Sequence, residues 1–210
     1  METPEVTEAP VETPEPSPEP VENSLPDIDI TSWEFILANP THDIGDYTPE
    51  VEKLEGQPLD YRIIEPMREF VAAARAEGLS VYLSSGYRTY ADQVYLFNLK
   101  IGAGYSEEEA AKIVAKPGTS EHQTGLACDI TDIYRNPKTI DECENTATYQ
   151  WMSKHCQEYG FIVRFPDGKS DITGIMYEPW HFRYVGVDAA MEMRETGECL
   201  EEYVERKQSE

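Results

Sequence analysis

The side chains best suited to chemistry in this chain fall in two short stretches. Ser120-Glu121-His122-Gln123-Thr124-Gly125-Leu126-Ala127-Cys128-Asp129 supplies an imidazole and a carboxylate, and Glu178-Pro179-Trp180-His181 supplies a second of each. Two histidines and an aspartate form a three-ligand set with a fourth position left for water, the arrangement of a catalytic rather than a structural zinc. A spare glutamate just ahead of the second histidine is placed to take a proton from that water. The spacing predicts a zinc hydrolase with one Zn2+ per chain, His122, Asp129 and His181 as ligands, and Glu178 as general base. Pro179 biases Glu178 toward an extended backbone and away from a helix. His42, in a turn-rich stretch, and His155, on a helix, have no partner signal and are read as ordinary surface or core residues.

Three further residues are candidates for the same pocket. Arg88 ends the run Ser84-Ser85-Gly86-Tyr87-Arg88, a turn that delivers a permanently charged fork to the end of a strand. It either grips a substrate carboxylate, polarises a carbonyl oxygen as negative charge develops there, or forms a helix-cap ion pair. Gln93, in the next helix, offers a neutral donor to that pocket. Ser120 either hydrogen-bonds a substrate terminus or caps its turn.

These side chains need elements to hold them. Helical periodicity runs over Tyr61–Glu77 (Ile63, Ile64, Met67, Phe70, Val71, Ala74), with Gly78 as a stop. Leu79–Leu83 alternates as a strand. Helices follow at about 90–101, at Glu107–Ala115 with a Ser106/Glu109 capping box, and at about Asn145–Tyr159 before Gly160. Leu126–Ile130, Phe161–Val163 and Trp180–Tyr184 read as strands, and 188–206 as two short helices broken near Gly197. Trp33–Asn39 reads as a short apolar element and Pro40–Pro58 as turn-rich. Gly125 permits a turn through which a loop histidine and a strand aspartate converge. Strands and helices mix without strict βαβ alternation, which predicts an α+β fold.

Composition bounds the rest. Of 210 residues, 41 are acidic and 17 are Lys or Arg, a formal net charge of -24. Such a surface repels phosphate backbones and excludes nucleic acid as a partner. Residues 1–25 are almost wholly Pro, Glu, Val, Thr and Ser and read as a disordered tether. Residues 26–58 read as an irregular N-terminal wrap and 59–207 as the catalytic domain, a single core. No window is apolar for long enough to span a bilayer, and no basic-then-apolar leader follows Met1. Two readings follow, a cytoplasmic protein or one whose export signal or membrane anchor lies outside these 210 residues; a tether ahead of a compact domain suits the second, a cell-envelope enzyme. Cys128, Cys143, Cys156 and Cys199 make no C-x-x-C pair. Alternation with Asp129 turns Cys128 toward the core, and the Cys128/Cys156 pair reads as buried free thiols, with Cys143–Cys199 an open disulfide possibility.

Read as an ordered set, the motifs resemble a known family. Ser-Gly-Tyr-Arg at 85–88 with Gln93, Gly-Thr-Ser-Glu-His-Gln-Thr-Gly-Leu-Ala-Cys-Asp at 118–129, Tyr-Gly-Phe-Ile-Val-Arg at 159–164 and Tyr-Glu-Pro-Trp-His-Phe-Arg-Tyr-Val-Gly at 177–186 closely resemble the VanY-type zinc D-alanyl-D-alanine carboxypeptidases. The match covers most of 60–204; the tether lies outside it and 25–58 matches loosely. The resemblance implies a small Hedgehog/DD-peptidase-like domain with a central antiparallel sheet flanked by helices. It implies zinc on His122, Asp129 and His181, Glu178 as base, Arg88 as electrostatic stabiliser, and Ser120 and Gln93 in the substrate site. The substrate would be a peptidoglycan stem peptide or its precursor, met outside the cytoplasm by a monomer. Two variants stay within the fold, an L,D-carboxypeptidase acting on tetrapeptide stems and a D,D-dipeptidase. A third reading is a zinc-holding module that binds wall peptide or protein without cutting.

Overall fold

The computed structural model describes residues 28–132 and 139–210, so the proposed tether lies outside the described residues. The core element is α1 (Ile64–Ala76), entered through a single 3-10 turn at Tyr61–Ile63. Ile64, Met67, Phe70, Val71 and Ala74 are buried along it, the i, i+3, i+4 stripe that an amphipathic helix lays against a sheet. Gly78, at φ +79, ends it where a side chain would be strained.

Four strands make one antiparallel sheet in the order β3 (Val81–Ser85), β4 (Ala127–Asp132), β6 (His181–Tyr184), β5 (Phe161–Val163). Two further strands, β1 (Val51–Leu54) and β2 (Gln57–Asp60), form a separate hairpin. Phe70 of α1 stacks on Phe161, Tyr159 and Trp151 and meets Phe182 edge-on, which joins helix to sheet. A second apolar cluster contains Phe35, Ile162, Val185, Met193, Leu200 and Tyr203.

The remaining helices frame the sheet. α2 (Tyr90–Gly102) starts at a Thr89/Asp92 capping box, and α3 (Glu107–Ala111) at the expected Ser106/Glu109 box. α4 (Ile140–Glu144) and α5 (Ala147–His155) precede β5; α6 (Ser170–Thr173) lies between β5 and β6. α7 (Val187–Thr196) and α8 (Leu200–Ser209) are separated at Gly197, φ +71. The α+β class and the antiparallel sheet agree with the sequence reading.

Several boundaries differ. The stretch read as turn-rich holds most of the β1–β2 hairpin, which runs on to Asp60 and is closed by Glu55 and Gly56, both at positive φ. Two central residues with φ > 0 define the type I′ geometry that matches strand twist. The helix expected over 145–159 ends at His155 and finishes as a 3-10 turn, Cys156–Tyr159. α3 stops at Ala111 rather than Ala115. All four cysteines are buried and free, Cys143 and Cys199 included.

Candidate metal centre and active site

Strand register creates the site. In the β4/β6 ladder Asp129 stands directly opposite His181, and Cys128 opposite Phe182. Directly opposed residues project from the same face, so Asp129 and His181 meet on one face while Cys128 and Phe182 go into the core, as alternation predicts. His181 Nδ1 lies 2.9 Å from Asp129 Oδ1.

His122 reaches the same point from the 3-10 turn Glu121–Thr124. That turn ends at Gly125, φ +73, where a Cβ would come within 3.0 Å of the Asp60 amide nitrogen; that amide donates to the Gly125 carbonyl at 2.9 Å. Glycine is therefore required both by conformation and by the close approach of β2. His122 Nδ1 is 2.8 Å from the Gly86 carbonyl, an acceptor that fixes the proton on Nδ1 and leaves Nε2 facing Asp129 Oδ2 at 3.5 Å.

Glu178 arrives by a tight turn. The His181 amide donates to the Glu178 carbonyl at 3.1 Å, with Pro179 at the position where a fixed φ favours a β-turn. Glu178 Oε2 consequently lies 3.9 Å from His181 Nδ1.

Arg88 crosses from the end of β3. Its Nη1 donates to Gln93 Oε1 at 2.8 Å and its Nη2 to Ser85 Oγ at 3.3 Å. Gln93 is fully buried and donates in turn to the Ala115 carbonyl at 2.6 Å. It thus stands behind Arg88 rather than on the cavity wall. Ser120 is buried on that wall, and its side chain makes no cap bond to the following turn.

The cavity holds about 240 Å³ and is lined by Arg88, Ser120, His122, Asp129, Glu178 and His181, with Phe165, Ile175 and Trp180 giving apolar walls. A ligand atom from each of His122, Asp129 and His181 lies within 4.8 Å of the others. Two imidazoles and one carboxylate converging on a cleft suit a divalent cation of borderline softness, so the residues present fit zinc. His42 and His155 stay outside: His42 contacts Asn39 Oδ1, and His155 stacks on Trp151 and pairs with Glu158.

The electrostatics follow from burial and partners. Burial alone would raise the Asp129 carboxyl, but His122 and His181 hold it far below the usual carboxylate range. Burial would lower His181, and the Asp129 and Glu121 carboxylates outweigh it, lifting the imidazole to about 9. Glu178 is pushed up, chiefly by burial and against the pull of His181, with Asp129 adding to the rise. Burial depresses Arg88, opposed by Asp129, Asp92 and Glu178, and a guanidinium still stays charged.

Sequence reasoning left one charged group out. Glu121, next to His122, is fully enclosed and paired with two fully buried arginines, Arg164 and Arg183. Its carboxyl, which burial would raise, is held well below the ordinary value by both guanidiniums. Period-two alternation carried the signal, because it puts Arg183 on the same face of β6 as His181.

Comparison with known proteins points to one family. The sequence model of the VanY family, described as D-alanyl-D-alanine carboxypeptidase, matches residues 56–187. A D-alanyl-D-alanine carboxypeptidase of Enterococcus faecalis is 40% identical over 186 residues, covering 84% of this chain and 67% of the relative. Across the four curated relatives matched, the chain spans from 44% to 75% of their lengths. Two solved structures superpose over most of the chain. One is a glutamate-to-alanine variant of a vancomycin-resistance D,D-pentapeptidase, VanY, in complex with Zn(II); it is 38% identical, with a TM-score of 0.71, covering 82% of this chain and 99% of that one. The other, VanYB in complex with D-alanine-D-alanine, is 39% identical, with a TM-score of 0.72, covering 83% and 98%. The chain belongs to the VanY family of D-alanyl-D-alanine carboxypeptidases.

Proposed function

We propose that the protein is a zinc-dependent D,D-carboxypeptidase that removes the C-terminal D-alanine from peptidoglycan stem peptides. The observation that carries this reading is the register of β4 against β6, which sets Asp129 opposite His181 beside His122, with Glu178 and Arg88 on the same cavity. Family membership and the dipeptide-bound VanYB neighbour support the substrate class.

His122, Asp129 and His181 would hold the metal. Bound there, zinc supplies a water acidified toward neutrality and a Lewis acid for the scissile carbonyl. Glu178 takes the proton from the attacking water and later gives it to the leaving amine, and its half-buried position, which raises the carboxyl, lets one group serve as base and then acid. Arg88 holds the negative charge that develops on the carbonyl oxygen; Gln93 and Ser85 lock its guanidinium before substrate arrives, so little reorganisation is left for the reaction. Ser120 offers its hydroxyl to the substrate terminus, and Gln93 serves the substrate site from behind, through Arg88. A site that captures a terminal carboxylate cuts at chain ends, because an internal peptide bond offers none.

The setting follows from the substrate. The enzyme would act outside the cytoplasmic membrane as a monomer, joined to the envelope through segments other than those described; no helix among the described residues is long and apolar enough to cross a membrane. The test is a mass-spectrometric digest of pentapeptide and tetrapeptide muropeptides by the zinc-loaded protein. Loss of one alanine from the pentapeptide alone is expected. Loss from the tetrapeptide overturns the D,D assignment in favour of an L,D-enzyme, and no cleavage of either overturns the enzymatic reading.

A further inference from the structure

Three carboxylates line the active-site cavity, and the reaction above uses two of them, Asp129 and Glu178. The third, Glu121, has 1% of its side chain accessible. Its two oxygens are employed unequally. Oε1 accepts from both Arg164 Nε at 2.7 Å and Arg183 Nη1 at 2.6 Å. Oε2 accepts nothing, although it is buried. Across from it, His181 Nε2 is likewise buried without a hydrogen-bond partner, and the two atoms face each other at 3.8 Å. A buried carboxylate oxygen and a buried imidazole nitrogen each left unsatisfied are costly apart and complementary together.

The arginines do not need Oε2. Arg164 gives its remaining guanidinium nitrogens to Glu201, at 2.8 and 2.6 Å. Arg183 gives Nη2 to the carbonyls of Glu34 and Ile36 and Nε to that of Tyr184. The ion cluster is complete with one oxygen of Glu121 still unspent, and that oxygen points at the imidazole. The His181 ring is further confined by Phe165, with centroids 5.0 Å apart, and by the perpendicular His122 ring at 4.9 Å.

We propose that Glu121 is a positioning residue for the metal ligand His181. Clamped by Arg164 and Arg183, its free oxygen faces His181 Nε2 at 3.8 Å and is placed to take the Nε2–H when the ring closes on it, which fixes the tautomer that leaves Nδ1, beside Asp129, as the metal-binding atom. This rests on the reading of His181 as a ligand. A carboxylate behind a ligating imidazole holds the ring and raises its basicity, and losing such a partner typically costs metal affinity rather than fold alone.

The deciding experiment uses the unaltered chain, labelled with 15N and loaded with cadmium-113. Cadmium coupling to His181 Nδ1, with a proton retained on Nε2, is the expected result. Coupling to Nε2 would overturn the clamp and leave the ligand set standing. Coupling to neither nitrogen would instead remove His181 from the ligand set, and the proposal with it. Variants add a second readout, zinc affinity by chelator competition. Glu121→Gln should bind zinc roughly 10–100-fold more weakly. Glu201→Gln, which removes a carboxylate from the same cluster but does not face His181, should bind it as the parent does. Equal zinc affinity in the Glu121→Gln variant and the parent would make Glu121 purely structural. Should Glu121→Gln fail to fold, the cadmium measurement decides alone.

Discussion

Asp129 lies between two imidazoles and near Arg88, and that crowding divides the labour among its neighbours. The two histidines and Asp129 are paired with one another, whereas Glu178, raised by burial and hydrogen-bonded to none of them, is the carboxyl proposed to exchange a proton. Glu178→Ala should therefore cut turnover by at least roughly 10²–10⁴-fold, the usual worth of a general acid–base, with zinc content unchanged in the purified variant. Arg88→Ala should lower kcat by roughly 10²–10³-fold, as loss of a preorganised charge stabiliser does; a change confined to KM in steady-state kinetics would show that Arg88 only binds ground-state substrate. The convergence of His122, Asp129, His181 and Glu178 on one cavity was legible because histidine is rare here and each sits in a pattern with a carboxylate. Glu121 was not, since in a chain with 41 acidic residues a glutamate reads as surface. Gln93 was legible as part of the site, but not its position behind Arg88, which depends on how α2 packs on the loop at Ala115.

At the scale of elements, the site depends on β2 touching the end of β3. Gly86 passes so close to Pro58 that a Cβ there would run into the Pro58 carbonyl oxygen, and the Gly86 carbonyl is the acceptor that orients His122. Gly86→Ala must push the hairpin and β3 apart. It should cost about 1–3 kcal/mol in denaturant unfolding, the range for overpacking, and should also weaken zinc binding; a variant with parental stability and affinity would show that the contact relaxes freely. The helices and the four sheet strands could be read from periodicity, glycine stops and capping boxes, because those signals are local. The β1–β2 hairpin could not. Pro58 argues against a strand when read in sequence, and it is accommodated because the hairpin is a two-stranded sheet with open edges. Its Glu55-Gly56 turn was the one cue. Boundaries such as the end of α3 failed for a related reason, since the residues after Ala111 turn in to form the cavity wall.

Among the described residues, buried charge ties the first and last elements to the metal centre. Arg164 joins Glu121 of the site to Glu201 of α8, and Arg183 joins it to the carbonyls of Glu34 and Ile36 near the start of the described chain. Buried pairs of this kind stabilise weakly while intact and are costly to break. Burial would raise the Glu201 carboxyl, but its bonds to Arg164 bring it below 4.5 in the folded state. A carboxyl lowered on folding contributes stability that is present above about 4.5 and is lost as the pH falls below it. Glu201→Gln should therefore unfold more easily than the parent at pH 7, by about 1–3 kcal/mol in denaturant unfolding, and the gap should close as the pH falls below 4.5; a gap constant from pH 7 to pH 3 would contradict the charge assignment. The most direct test of the central claim is to measure zinc content and pentapeptide turnover on the same preparations of the parent and the Glu178→Ala variant. One zinc per chain in both, with D-alanine released by the parent alone, is the predicted result. Turnover by a parent that holds no zinc, or undiminished turnover by Glu178→Ala, would contradict it.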